Sequence, residues 1–257
     1  SDFMAVAAGW DHSAAMRTDG SLVSWGSDLH SVVGDTPGGM GHVAVASGGL
    51  HSLAITSAGS IVSWGRDTYN EVSGTPTGNN FVAIAGGSYH SLALRSDGSL
   101  AAWGGDNYGQ VSDTPTGNDF TAIAAGHYFN LALRSDGSLV AWGQEAYGQV
   151  SDCPDGNDFV DIATGFYFGL AIRTDGSIVG WGDDRWGQIT DIPAEGDVTD
   201  IAGGGYHAIA LVPGLSLADF DQDGDVDLYV ANYRTTTLQD MPGTRFTLTR
   251  DGDRIVI

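Results

Sequence analysis

Five aspartates stand at every second position late in the sequence: Asp219, Asp221, Asp223, Asp225 and Asp227, with Gly224 between the third and fourth. A hard Ca2+ ion takes about six to eight oxygens at roughly 2.3–2.6 Å. Alternate carboxylates on a tight loop converge on such a centre, and glycine permits the sharp bend. Asp225 falls where a backbone carbonyl would ligate, and Asp227 closes the set. An EF-hand would carry a bidentate Glu where this chain has Val230, so the loop is a different Ca2+ motif. Left unneutralised, neighbouring carboxylates repel one another, which makes bound Ca2+ the expectation here.

Other chemistry is harder to find. The chain has no Gly-x-Ser-x-Gly elbow, His-Glu-x-x-His helix, phosphate loop or dinucleotide fingerprint. Asp is too abundant to single out a glycosidase pair. The one cysteine, Cys153, excludes an internal disulfide or a Cys-based zinc site and reads as a small buried hydrophobe. No catalytic residues are assigned, and the chain is expected not to be an enzyme.

Charge narrows the partners. The 257 residues hold 29 Asp and 3 Glu against 10 Arg and no Lys, a net charge of −22. Such a surface repels nucleic-acid phosphates and anionic membranes and favours divalent cations and basic partners. No run of about 18 apolar residues exists to span a bilayer. The chain opens at Ser1-Asp2-Phe3 without a basic or apolar leader, so any signal peptide is expected to have been removed or left out.

The elements that must position these residues follow from a repeat. Trp-Gly recurs at Trp25, Trp64, Trp103, Trp142 and Trp181, always 39 residues apart. Five full copies cover residues 1–197. In the third, Phe81–Ala85, His90–Arg95 and Ser99–Trp103 alternate as strands, with a Gly86-Gly87 break and an Asp97-Gly98 hairpin signal between them. A Gly/Asn/Asp/Pro-rich connector follows, with room for a short fourth strand. One such unit cannot bury both its faces. Repeats of about 40 residues with three or four strands point to a β-propeller.

The motif G-x-x-H-S-L-A-L-x-x-D-G-x-L-x-x-W-G-x-N/D-x-Y-G-Q, read from Gly87 to Gln110 and again from Gly126 to Gln149 with Phe129 for His, resembles the regulator-of-chromosome-condensation repeat. The resemblance extends over residues 1–212. It implies a single all-β propeller domain of six or seven blades, seven preferred. It also implies roles as varied as nucleotide exchange, inhibition of β-lactamase and general scaffolding, so it speaks to fold more than to function.

Past residue 212 the pattern changes. Pro213-Gly214 replaces the Asp-Gly turn, and Phe220 stands where a sixth Trp is due. Residues 216–248 resemble an FG-GAP/VCBS calcium-loop repeat, which implies Asp219, Asp221, Asp223 and Asp227 as side-chain ligands. Residues 198–236 are therefore expected to form a hybrid sixth blade and 237–257 a terminal hairpin around Asp251-Gly252. Nothing in the sequence fastens the ring, so an open blade edge is expected, with a homo-oligomer as one way to cover it.

Two residue series are candidates for function. The repeated His12, His51, His90 and His207 alternate with Phe129 and Phe168, unlike a metal ligand or a base, and read as structural imidazoles bonded to neighbouring backbone. The turn before that position holds Trp10, Leu50, Tyr89, Tyr128, Tyr167 and Tyr206. A propeller gathers such turns around one mouth, where aromatic side chains serve as interface anchors or as stacking surfaces for sugars. A second series, Tyr69, Tyr108, Tyr147 and Trp186 with His30 in the first copy, reads as packing between blades. The expected function is a non-enzymatic scaffold, secreted or on the surface of a bacterium, that docks a protein or glycan on this mouth and carries a structural Ca2+ loop. The alternatives are a self-assembling structural protein and a polysaccharide-acting enzyme.

Overall fold

A computed structural model describes residues 2–190, 192 and 198–211, together with a strand pair at Thr249–Asp251 and Arg254–Val256. The Asp219–Asp227 loop and most of the expected hybrid blade lie outside the described residues. Each full repeat folds as a three-stranded antiparallel sheet. The inner strands are Phe3–Ala8, His42–Ser47, Phe81–Gly86, Phe120–Ala125 and Phe159–Thr164. The middle strands are His12–Arg17, His51–Thr56, His90–Arg95, Phe129–Arg134 and Phe168–Arg173. The outer strands are Leu22–Gly26, Ile61–Gly65, Leu100–Gly104, Leu139–Gly143 and Ile178–Gly182. A sixth repeat contributes Asp200–Gly203 paired with Ala208–Leu211.

The expected fourth strand does not form among the described residues; the connectors are turns. Their backbone donors are taken by side chains instead. Asp106 Oδ1 accepts from the amides of Val111 and Ser112 at 2.8 and 3.0 Å, and Gln110 Oε1 accepts from Tyr108 at 2.8 Å.

The core lies between sheets. Leu53, Ile55 and Ile61 of the second blade pack on Phe81, Ala93 and Trp103 of the third. Leu92 and Leu94 meet Phe120, Ala132 and Trp142, and Leu131 and Leu133 meet Phe159, Ala171 and Trp181. Large residues on one blade thus face a small Ala flanked by Phe and Trp on the next, which is the interdigitation close packing demands. Each buried Trp also ties backward: Trp103 Nε1 donates to the Glu71 carbonyl at 2.9 Å, and Trp142 to that of Gln110 at 3.2 Å. Trp25 is 48% exposed where Trp64 is 3% exposed. Cys153 is half-buried against the fourth blade's core, and burial, helped by Asp155, pushes its thiol up to about 11.

Candidate functional site

The inner-to-middle turns of all six repeats converge on one axis. Backbone bonds link the first three turns and the last three: Trp10 N to Gly49 O and Gly49 N to Gly87 O, then His127 N to Phe166 O and Phe166 N to Gly205 O, at 3.0–3.3 Å. They surround an axial cavity of about 460 Å3, lined by Gly48, Gly87, Gly126, Gly165 and Gly204 at equivalent positions, with Trp10 and Phe166 at its rim.

The rings gathered here differ in part from those expected. Trp10 is equivalent by repeat to Gly49, Ser88, His127, Phe166 and Gly205, one place before the Tyr series. Small residues at three of these places leave room for the indole to lie across the axis. It meets Tyr89, His127 and Phe166 with centroids at 5.4, 5.9 and 6.4 Å. Asp11, not Trp10, is therefore the first-blade counterpart of the tyrosines. Leu50 is buried at 8% exposure and does not join the exposed aromatic surface. Tyr89 stacks on Tyr128 at 5.4 Å, His127 stacks on Tyr167 at 5.1 Å, and Tyr206 meets Phe166 edge-on at 5.5 Å.

His127 and Phe166 were missing from the expected set, although both are aromatic and adjacent to it in sequence. Burial lowers the His127 pKa to about 4, so the imidazole is neutral and behaves as another aromatic surface. Burial, reinforced by neighbouring phenols, raises Tyr128 to about 12. His127 and Tyr128 are therefore both neutral rings at physiological pH.

The second aromatic series is not packed away between blades. Tyr69, Tyr108, Tyr147 and Trp186 are exposed. The three tyrosines reach over to the next blade's mouth tyrosine: Tyr69 to Tyr89 at 5.7 Å, Tyr108 to Tyr128 at 5.0 Å and Tyr147 to Tyr167 at 5.2 Å. They widen the mouth into a larger aromatic face. Arg66 lies over Tyr69 and Tyr89 and faces the buried Glu71 at 3.6 Å. Arg185 lies over Tyr147 and is held bidentately by Asp183.

The histidines are structural, but their partners are side chains of the next blade rather than backbone. His12 Nε2 meets Ser52 Oγ, His51 meets Ser91 and His90 meets Asn130 Oδ1, each at 2.8 Å. Burial lowers His51 to about 3, with lesser contributions from His90, His12 and Arg66, and lowers His90 to about 4. Among the described residues, no group of three or more His, Cys, Asp or Glu is placed to hold a metal.

A profile of the Regulator of chromosome condensation (RCC1) repeat matches residues 5–31, 43–71, 81–110, 120–149 and 159–188. No curated protein matches the chain. Among solved structures, the ectodomain of the Physcomitrella patens receptor kinase CR4 superposes with a TM-score of 0.70 at 23% identity, covering 83% of this chain and 62% of that one. Saccharomyces cerevisiae Prp20p, whose structure was described with its binding to Gsp1p and histones, gives 0.67 at 19% identity, covering 82% and 70%. Human WBSCR16 gives 0.64 at 20%, covering 82% and 72%. At these identities the likeness is one of fold. The chain spans less than two thirds of the moss ectodomain.

Proposed function

The chain belongs to the RCC1 repeat family, and from that premise we propose that it is a non-enzymatic scaffold that docks a protein on the aromatic mouth. The carrying observation is the ring surface that runs from Trp10 through Tyr89, Tyr128, His127, Tyr167 and Phe166 to Tyr206, mounted on turns that backbone bonds tie to neighbouring blades. Rigid aromatic anchors of this kind contribute contact area at low entropic cost. Prp20p, a protein of the same fold, is described as binding other proteins. An extracellular or cell-surface setting and a Ca2+ ion held by Asp219, Asp221, Asp223, Asp225 and Asp227 are part of the same reading. They rest on the acidic composition and the spacing of those aspartates.

The test is affinity capture on the immobilised chain from an extract of the source organism, repeated with Tyr128→Ala/Tyr167→Ala. A protein held by the parent chain and lost from a variant with an unchanged melting curve supports the reading. Undiminished capture discards this face, and a parent chain that retains only oligosaccharides replaces the protein partner with a glycan. For the metal, EDTA should lower Tm and added Ca2+ should restore it; an indifferent Tm removes the ion.

Self-assembly is a second reading, favoured by the exposed apolar side chains Phe3, Val6 and Trp25 on the first blade. Light scattering that shows only monomer across a wide concentration range would remove it.

A further inference from the structure

Resting on the mouth as the docking face, we propose that Tyr108, Tyr128 and Gln144 form a receptor for one cationic side chain, an arginine guanidinium by preference, carried by a basic protein partner. The argument comes from comparing three ring pairs that the repeat makes equivalent. Tyr69–Tyr89 carries Arg66, whose Cζ lies 5.1 and 4.8 Å from the two centroids. Tyr147 carries Arg185 at 4.4 Å, and Asp183 accepts from that guanidinium at 2.8 and 2.9 Å. The pair between them, Tyr108–Tyr128, has centroids 5.0 Å apart and the same tilt as Tyr147–Tyr167, 54° against 58°. Among the described residues no guanidinium covers it.

The reason is readable at a shift of 39 residues. Gly105 stands in the place of Arg66 and Ala146 in the place of Arg185. The acceptor is nevertheless kept. Gln144 occupies the place of Asp183, and its Oε1 is buried without a hydrogen-bond partner among the described residues. The middle pair thus has the ring platform and an unsatisfied acceptor, and lacks only the cation. A buried acceptor left unpaired costs free energy that an incoming N–H recovers. A cation over a tyrosine face is attracted by the ring quadrupole. Arginine fits both demands, since a planar guanidinium stacks and donates at once. A chain of net charge −22 draws basic partners toward it.

The probe is a Gly-Ser-Arg-Ser-Gly peptide, with the neutral citrulline peptide as control, titrated by NMR against the full chain. The Arg peptide should shift the Tyr108 and Tyr128 ring signals and bind about tenfold or more tightly than the citrulline peptide. Gln144→Asp, which copies the Asp183 arrangement, should tighten binding about threefold to tenfold. Ala146→Arg should fill the place from within and weaken binding about tenfold or more. Ala146→Gln, of similar length but neutral, should bind as the parent does. Equal affinity for the two peptides, or an Ala146→Arg variant that melts normally and binds undiminished, overturns the proposal. Protein capture lost in Tyr128→Ala/Tyr167→Ala but intact in Ala146→Arg would overturn the cation receptor while leaving the mouth as the docking face. Capture unaffected by the tyrosine variant would remove the mouth itself.

Discussion

At the scale of single residues, the repeat encodes pairs that cross from one blade to the next. Position His12, His51 or His90 is followed 40 residues later by Ser52, Ser91 or Asn130, and Phe129 and Phe168 are followed by Gly169 and Ala208. An imidazole therefore comes with a hydrogen-bonding partner, and a phenyl ring with a residue that has none. His51→Phe alone should cost about 1–3 kcal/mol, because the Ser91 hydroxyl loses its partner. Adding Ser91→Gly, which copies the Phe129/Gly169 combination, should recover at least half of that in urea denaturation. A double-mutant cycle without coupling would refute the pairing. The same histidines set the acid response. Their folded pKa values of about 3 for His51 and about 4 for His90 lie below the ordinary 6.5. The unfolded chain therefore binds more protons between those limits, so stability is full above about pH 6.5 and falls as pH drops toward 4. Thermal melts across pH 4–7 should show this slope, and His51→Phe/Ser91→Gly should flatten it. The covarying partners were present in the sequence. Reading them required knowing that adjacent sheets stack face to face, because the spacing of 40 is meaningless within one blade.

At the scale of elements, the strands were legible and the connectors were not. Alternation and the Asp-Gly turns place the third-copy strands within one residue of Phe81–Gly86, His90–Arg95 and Leu100–Gly104. The connector carries no periodicity, because side chains rather than a ladder organise it. One acid per copy, at Asp28, Asp67, Asp106, Glu145 and Asp184, accepts the amides five and six residues ahead. Burial opposes charge on Asp106, but the Ser112 and Val111 amides outweigh it and hold the carboxyl below its usual range. Asp67, Glu145 and Asp184 are lowered in the same way. Asp106→Ala should lower stability by about 1–2 kcal/mol at neutral pH, read from the urea midpoint. Because the folded pKa is depressed, this contribution is present above the ordinary carboxylate pKa and disappears as pH falls through the folded value. Parent and variant should therefore converge in strong acid. The aromatic face inherits its precision from these pins, since Tyr108 sits between Asp106 and the Gln110 side chain that accepts its amide.

At the scale of the molecule, each blade is stabilised by the one before and the one after, so the first blade reveals whether its outer face is covered. Phe81 is 3% exposed beneath the second blade, whereas Phe3, its counterpart, is 48% exposed among the described residues. Truncating a buried Phe removes its transfer free energy and leaves a cavity, at about 3–5 kcal/mol. A half-exposed ring leaves no cavity and loses less buried area, so Phe3→Ala should cost about 1 kcal/mol. Both variants should be compared with the parent by urea denaturation at a low and a high protein concentration. Equal costs for Phe3→Ala and Phe81→Ala at every concentration would mean that the chain itself covers the first blade. A Phe3→Ala cost that rises with concentration would mean that a second copy does. The expected outcome is a large and concentration-independent difference, which leaves the outer face of the first blade uncovered.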